Sequence, residues 1–371
     1  MQPASQPGSA GLPGAEWVVS RMVSRWRSRR ALRKGNKKLW VKLLSHRDWR
    51  VRDMAGRMLA ELGEEGVAAL SDVVRTSRDP AARLAAVTAL AQSGHPSAIP
   101  ALLDAAGDEE GVIRREASWA LEQLGAEGEA EILRGLEDRR WWVRKAAAWA
   151  LWTKGEHVAP PLEVTLGRDE DAAVRRTAAW ALGKIGAQRS VSPLAESLHD
   201  EDPSVRAAAS WALGRLGEAA HRALFVAARD AEWWVRRAAT WALGEARIGE
   251  SVALLLERLS DEHPSVRAAA AWSLGALKSQ EALIPLLRAA GDADPRVRRE
   301  AVLALSALDV ANSRIEAVLR QASRDPSGTV RRAAMMALRS REERAAPKSP
   351  PVSAAFRRSA HSPSRHDGNR E

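Results

Sequence analysis

The 371-residue chain contains no cysteine and no tyrosine, and only two phenylalanines. The lack of cysteine excludes disulfides, cysteine-ligated zinc and thiol catalysis. No apolar run approaches the roughly 18 residues of a membrane span, and the N-terminus lacks the continuous apolar region of a secretory signal. The sequence therefore predicts a cytoplasmic protein without a transmembrane segment.

Motifs that carry catalytic chemistry are also missing. The eight histidines are scattered, with no H-E-x-x-H and no pair at i and i+4, so we expect no protein-built metal site. A phosphate loop, a dinucleotide-binding glycine fingerprint and a G-x-S-x-G elbow are all lacking. These absences predict a non-enzymatic protein without a cofactor.

The positive charge is concentrated at the two ends of the chain. The net charge is +10, yet residues 39–338 contain 40 basic and 42 acidic residues. A nucleic-acid-binding body would be expected to have a basic surface, which this composition does not indicate. Contact with nucleic acid through the basic ends remains an alternative.

What the sequence does contain is a repeat. A Val-Arg pair or its equivalent recurs at steps of 30 to 33 residues, and this period is typical of solenoids. The ten repeat arginines are Arg52, Arg83, Arg114, Arg144, Arg175, Arg206, Arg236, Arg267, Arg298 and Arg331.

One unit, residues 190–217, shows the predicted structure of each repeat. A first apolar-periodic stretch ends at Asp202 and Pro203, which favour the start of a second helix, and Gly217 favours its end. No stretch shows the sustained alternation of a strand. We predict an all-α fold, an α-solenoid of about ten helix-turn-helix repeats of period 31 over residues 39–338.

The segments "VRRTAAWALGKIG" (residues 174–186) and "PSVRAAASWALGRLG" (residues 203–217) resemble the short HEAT-like repeats first associated with phycobilin lyases. This resemblance implies that the second helix lines a concave surface. It also implies that each repeat arginine pairs with the turn aspartate four residues before it, as at Asp48, Asp79, Asp171, Asp202 and Asp294. Hydroxylases of this type carry His-Glu motifs, and here arginine replaces that histidine.

Two terminal regions flank the repeats. Residues 1–15 are predicted to be disordered, and residues 16–38 to form a basic amphipathic helix that caps the solenoid. Alternatives for that helix are contact with a membrane surface or nucleic acid, and a transit peptide. Residues 339–371 are rich in Pro, Ser and Arg, and we expect them to be disordered.

Six tryptophans, each five residues after a repeat arginine, form what we call the tryptophan ladder: Trp119, Trp149, Trp180, Trp211, Trp241 and Trp272. At 100° per residue, Trp211 lies opposite the apolar face formed by Val205, Ala209 and Leu213. The ladder is therefore predicted to line the concave groove. In the alternative, the rings fold onto the next repeat and fill the space beside its alanines.

Cations accompany the ladder. Four of the six tryptophans have a basic residue at i−4, a spacing at which a cation can lie over the indole: Arg115, Lys145, Arg176 and Arg237. A second pattern places Trp49, Trp141 and Trp233 at intervals of 92 residues, the length of three repeats. These rings either pack at the turns or form a binding patch at the edge.

The sequence thus favours a binding scaffold that holds an extended protein segment along the ladder. A polyproline turn of about 9 Å is close to the expected spacing of the rings, so residues 345–371 of this chain are one candidate occupant. Two alternatives stay open: a nucleic-acid-binding protein similar to the HEAT-like-repeat DNA glycosylases, and a tetrapyrrole lyase or chaperone.

Overall fold

The computed structural model describes residues 37–124, 128–308 and 312–345, and within these ranges the only regular elements are helices. They alternate as first and second helices of successive repeats. The first helices are Lys37–Leu43, Glu64–Thr76, Ile99–Ala105, Glu129–Gly135, Ala159–Arg168, Val191–Glu196, His221–Ala227, Val252–Arg258, Leu283–Ala289 and Ser313–Ala322. The second helices are Trp49–Ala60, Pro80–Ser93, Gly111–Gln123, Trp141–Ala150, Ala172–Ile185, Pro203–Leu216, Trp233–Glu245, Pro264–Ala276, Pro295–Ala307 and Gly328–Ala345. The predicted all-α solenoid is confirmed.

Local sequence explains where the second helices begin and end. The carboxylate of Asp202 accepts a hydrogen bond from the backbone N–H of Ser204, and Pro203 occupies the first turn, where no N–H is needed. Helix Ala172–Ile185 starts at Asp171 in the same way and ends at Gly186, whose φ of 77° suits glycine. Short polar turns therefore set the repeat length.

The apolar face predicted for the second helix is the core. Val205, Ala209 and Leu213 have no exposed surface, and their counterparts in neighbouring repeats join them in one continuous cluster. The alanines let successive second helices approach closely. A Cβ added to Gly183 would lie 2.7 Å from the Cα of Ala212, which shows that the backbones of adjacent repeats are nearly in contact.

This close approach fixes the curvature. Successive second helices pack tightly along their length, whereas successive first helices approach each other at few positions. A stack of helix pairs bends towards the side on which the helices lie closest together. The second helices therefore form the concave surface and are called inner helices below, and the first helices form the convex surface.

The repeat arginines tie each repeat to the next, but through a different aspartate from the one predicted. The guanidinium of Arg175 donates to both carboxylate oxygens of Asp200, 25 residues later, at 2.8 and 2.9 Å. The same pairing, with closest distances of 2.7 to 2.8 Å, joins Arg83–Asp108, Arg144–Asp169, Arg236–Asp261, Arg267–Asp292 and Arg298–Asp325.

The aspartates predicted as partners have another role. Asp48, Asp79, Asp171, Asp202 and Asp294 cap the N-termini of their own inner helices. Their carboxylates are engaged by backbone N–H groups within the same repeat, so the predicted pairing with the arginine four residues later is wrong. The interpretation of the arginines as links between repeats agrees with the structure.

The C-terminal boundary of the solenoid also differs from the prediction. The last inner helix continues to Ala345, and Arg344 donates a 2.6 Å hydrogen bond to the carbonyl of Ser306 in the preceding repeat. Residues 339–345 are therefore helical rather than part of a disordered tail. The predicted N-terminal cap up to residue 36 and the tail after residue 345 lie outside the described residues.

Candidate partner-binding groove

The ladder tryptophans differ in exposure. Trp119 keeps 55% of its surface exposed, whereas the other five are half-buried. Trp180, Trp211 and Trp241 also pack against the core. Each of these rings meets solvent with part of its surface and a neighbouring repeat with the rest.

The half-buried rings stack on one another across repeats. The centroids of Trp149 and Trp180 are 4.3 Å apart with an interplanar angle of 4°, and those of Trp180 and Trp211 are 6.3 Å apart at 10°. Trp241 and Trp272 form a second stack at 5.5 Å and 18°. Since Trp180 has a parallel ring on each side, its faces are largely occupied by other tryptophans.

This stacking changes how the ladder could contact a ligand. Indole faces are the best surfaces for stacking a proline or an aromatic group. In each stacked pair, at least one face of each ring is covered by another indole, so the six ladder rings are not equivalent contact surfaces. Trp119, for which the described residues provide no stacking partner, offers the largest free ring surface of the ladder.

The cations lie over indoles in a different register from the one predicted. Lys184 Nζ lies 5.4 Å from the Trp180 centroid, and the guanidinium carbon of Arg215 lies 5.6 Å from that of Trp211, each from position i+4. Lys145, which the i−4 spacing predicts over Trp149, instead lies over Trp141, at 5.8 Å. The i+4 residue covers the indole because helical side chains lean towards the N-terminus.

A groove of about 970 Å³ opens at the N-terminal end of the ladder. It lies between inner helices Gly111–Gln123 and Trp141–Ala150. Its aromatic lining consists of Trp119, Trp141, Trp142 and Trp149. Its charged lining consists of Arg114, Arg115, Lys145, Asp108, Glu109 and Glu122. We call this space the larger groove.

Two of the predicted cations, Arg115 and Lys145, therefore lie in the larger groove beside two ladder tryptophans. Burial lowers the pKa of Lys145, and the positive charges of Arg176 and Arg114 lower it further. Arg176 itself is exposed. This end of the ladder combines open aromatic surface with three cationic and three acidic side chains.

A smaller groove of about 480 Å³ lies between the inner helices that contain Trp241 and Trp272. Arg237, Arg296 and Arg299 line it, with Glu300 as the acidic residue. Burial lowers the pKa of Arg237, and the charge of Arg206 adds to this effect. The ladder positions thus contribute to two grooves, separated by the stacked column.

The tryptophans spaced by 92 residues are placed unequally. Trp49 is 63% exposed and Trp141 is 43% exposed. Trp233 stacks on His263 with centroids 3.7 Å apart, as expected for packing at the turn. Trp141 and its neighbour Trp142 line the larger groove instead. The tryptophans spaced by 92 residues thus include one that packs at a turn and one that lines the larger groove.

Sequence reasoning missed two features of this region. The repeat pattern assigns Arg114 to the structural arginines, yet this residue lines the larger groove. Trp152, an edge-on neighbour of Trp180 at 6.0 Å, belongs to neither of the two tryptophan patterns. The sequence signal for Arg114 is only partial. The 30-residue step to the next repeat arginine and the following Trp-Trp pair also occur at Arg206, which lines neither groove.

Two other features of the described residues bear on function. Glu218, His221 and Glu250 converge on the convex side with ligand atoms within 4.8 Å of one another. Both glutamates are exposed, and His221 Nδ1 lies 3.6 Å from Glu250, so a histidine–carboxylate contact accounts for the cluster. None of the described helices has the length and apolar character needed to span a bilayer.

Known proteins share this architecture. Yeast importin-beta, Kap95p, is 15% identical over 90% of this chain and 54% of its own, with a TM-score of 0.57. Kap121p is 15% identical over 87% and 43%, with a TM-score of 0.54. The CpcE–CpcF complex of phycocyanin lyase from Nostoc is 26% identical over 40% and 98%, with a TM-score of 0.37.

The chain spans 54% of the length of Kap95p and 43% of the length of Kap121p, and these identities show a shared fold alone. No curated protein matches the sequence significantly. The family model described as HEAT repeats matches residues 67–152, 159–243, 221–306, 252–339 and 284–366, which together cover most of the chain. On this evidence, the chain belongs to the HEAT-repeat proteins.

Proposed function

We propose that this protein is a non-enzymatic scaffold that holds an extended segment of another protein in its concave groove. The larger groove supports this proposal most directly. It is wide enough for several residues of an extended chain, and its wall contains four indoles beside three cationic side chains. Exposed aromatic anchors with adjacent arginines are typical of protein-binding surfaces.

The fold is consistent with this role. Solenoids present long concave surfaces and serve widely as scaffolds. Among proteins of similar fold, Kap95p has been described in complex with RanGDP and with Nup1, both of them proteins. Fold similarity does not transfer those partners to this chain, so the proposal depends on the groove itself.

The partner segment is expected to enter at the Trp119 end rather than to follow all six rings. Trp119 has the most open ring, and each ladder ring from Trp149 onward has at least one face stacked on another indole. The chain's own tail is a poor match, because residues 346–371 contain five basic and two acidic residues. The cations of this tail would lie beside Arg114, Arg115 and Lys145 in a groove whose acidic side chains are already balanced by those three residues.

Selection from a displayed library of random peptides tests the proposal and reveals the chemistry of the segments that bind. The full-length protein should enrich peptides whose binding falls at least about tenfold when Trp119→Ala and Trp149→Ala are combined. Trp49→Ala provides the matched control, because Trp49 is similarly exposed but does not line the groove.

Two results would contradict the scaffold. In one, no peptide is enriched, or the enriched peptides bind the double variant as well as the wild type. In the other, single-stranded DNA binds in preference to every peptide, with an affinity that falls steeply as salt rises. The second result would favour the nucleic-acid alternative.

A further inference from the structure

In most repeats the arginine is a two-sided connector. Arg175 Nη1 donates to the carbonyls of Asp169 and Glu170 in its own repeat, at 2.9 and 3.2 Å. The other edge of its guanidinium, formed by Nε and Nη2, donates two hydrogen bonds to the carboxylate of Asp200 in the next repeat. The backbone carbonyls thus orient the guanidinium, and the free edge is shaped for a carboxylate.

Arg114 makes the contacts with backbone carbonyls, but among the described residues it has no carboxylate partner in the next repeat. Its Nη1 donates to the carbonyls of Asp108 and Glu109, at 2.7 and 2.8 Å. No carboxylate of the described residues receives its Nε and Nη2 edge. The edge that binds an aspartate elsewhere in the solenoid is therefore left open here.

The carboxylate that would complete the pair is held by a different arginine. Asp138 accepts the backbone N–H two residues later at 2.8 Å, as Asp200 does, so it stands at the equivalent point of its repeat. The side chain of Arg140 binds both of its oxygens, at 2.9 and 3.0 Å. These hydrogen bonds lower the pKa of Asp138 and keep it ionised against Arg140.

Arg206, which lies 92 residues after Arg114, has also lost its usual carboxylate partner, but it does not border a groove. Arg206 also lacks its carboxylate, because Asp230 accepts from His199 Nε2 at 2.9 Å. The Arg206 guanidinium lies over the Trp234 ring, 5.8 Å from its centroid, and does not line either groove. Arg114, in contrast, lines the larger groove together with Trp119 and Trp142.

We propose that Arg114 binds the side-chain carboxylate of an aspartate or glutamate in the partner segment, in the way that Asp200 is bound by Arg175. This inference rests on the proposed scaffold function and adds the chemistry of the partner. Lys145, Arg115 and Arg114 supply the attracting charge, while Trp119 and Trp149 contact apolar residues beside the acid. The recognised segment is acidic, with a proline or aromatic neighbour.

A protein carboxylate suits this groove better than a nucleic-acid backbone. Asp108, Glu109 and Glu122 balance the three cations of the groove, which therefore lacks the excess positive charge that a chain of closely spaced phosphates requires. A single carboxylate needs only the open edge of one guanidinium. That edge has the bidentate geometry that already binds carboxylates elsewhere in this protein.

The test compares peptides from the library selection with variants in which each acid is replaced by its amide. Wild-type protein should bind the acidic form at least about tenfold more tightly than the amide form, because a carboxylate accepts charge-assisted bidentate hydrogen bonds from a guanidinium and an amide does not. Arg114→Gln should remove this preference. Arg331→Gln is the matched control, because Arg331 has the same carbonyl contacts but lies outside the groove.

A charge-swap variant distinguishes loss of the specific contact from misfolding of the protein. Arg114→Glu should bind peptides in which the acid is replaced by lysine more tightly than the original peptides, and a damaged fold cannot produce that gain. The inference is overturned if peptides bind in a Trp119-dependent manner while acid and amide forms bind equally. That result leaves the scaffold intact, whereas loss of all Trp119-dependent binding overturns the scaffold itself.

Discussion

The pairing of repeat arginines with aspartates predicts a measurable difference between two arginines at equivalent positions. Arg175 is buried and binds Asp200 with two hydrogen bonds, in addition to its contacts with backbone carbonyls. Arg206 has similar carbonyl contacts, at 2.7 and 2.8 Å, lies over the Trp234 ring, and has no carboxylate partner among the described residues. Substitution by glutamine in each case therefore isolates the ion pair between repeats.

The expected magnitudes follow from these contacts. Arg175→Gln leaves the carboxylate of Asp200 without its cation, and breaking a buried pair costs about 3–5 kcal/mol. The hydrogen bond of Arg175 to Glu201 adds little, because Glu201 is exposed. Arg206→Gln removes hydrogen bonds to carbonyls and the contact of the guanidinium with the Trp234 ring, together about 1–2 kcal/mol. The two variants should differ by about 1–4 kcal/mol in the free energy of opening the interface.

Tryptophan fluorescence during urea unfolding is a suitable assay, because the Trp180–Trp211 stack crosses the interface that the Arg175–Asp200 pair holds together. Hydrogen exchange in helix Pro203–Leu216 adds a local measurement, which a repeat protein needs because its unfolding is not reliably two-state. Equal destabilisation by the two substitutions would show that the ion pairs contribute nothing beyond the carbonyl contacts, and would refute this account of what joins the repeats.

Three further predictions concern packing and pH. Gly183→Ala should destabilise the protein by about 1–3 kcal/mol because the new Cβ has no room, whereas Gly167→Ala, with open space around it, should stabilise it by about 0.5–1 kcal/mol in thermal unfolding. Trp180→Ala should cost about 3 kcal/mol and weaken the near-UV circular dichroism of the stack; an unchanged spectrum would contradict the stacked column. Burial alone would raise the pKa of Asp261, but the hydrogen bonds and charge of Arg236 outweigh it and lower that pKa. The Arg236–Asp261 pair therefore stabilises the protein above about pH 4, and this stabilisation is lost as the pH falls through the lowered pKa of Asp261. The urea concentration at the unfolding midpoint should decrease between pH 5 and about pH 2. A constant midpoint would contradict a stabilising contribution from the pair.

The fold was predictable because the same sequence signals for helix starts, helix ends and the apolar face recur in successive repeats. Asp202 and Pro203 mark a helix start, Gly217 follows its end, and the apolar face recurs at the same helical positions in every unit. Each unit contacts mainly its neighbours, so the pattern of one repeat defines the whole stack. No long-range pairing had to be inferred.

The partner of each repeat arginine was not predictable from spacing. Asp200 and Asp202 both precede Arg206, and each can accept hydrogen bonds at the turn. Their different roles depend on the offset between adjacent repeats, which places Asp200 against Arg175 and leaves Asp202 to cap its own helix. A sequence period gives the repeat length and contains no information on that offset.

The packing of the ladder tryptophans was not predictable from the sequence. A helical wheel places Trp211 away from the core but does not fix its side-chain rotamer. The structure shows that small residues such as Gly183 leave room for the ring of the following repeat, with the indole of Trp211 only 2.9 Å from a Cβ built there. Stacking then covers faces that would otherwise have been open to a partner.

Hydrogen exchange of the full-length protein, with and without a peptide from the library selection, tests the central claim most directly. The account predicts slower amide exchange in Gly111–Gln123 and Trp141–Ala150, the inner helices that border the larger groove. Exchange in the convex helices should stay unchanged. Protection confined to those convex helices, or to the repeats after residue 300, would contradict the assignment of partner binding to this groove.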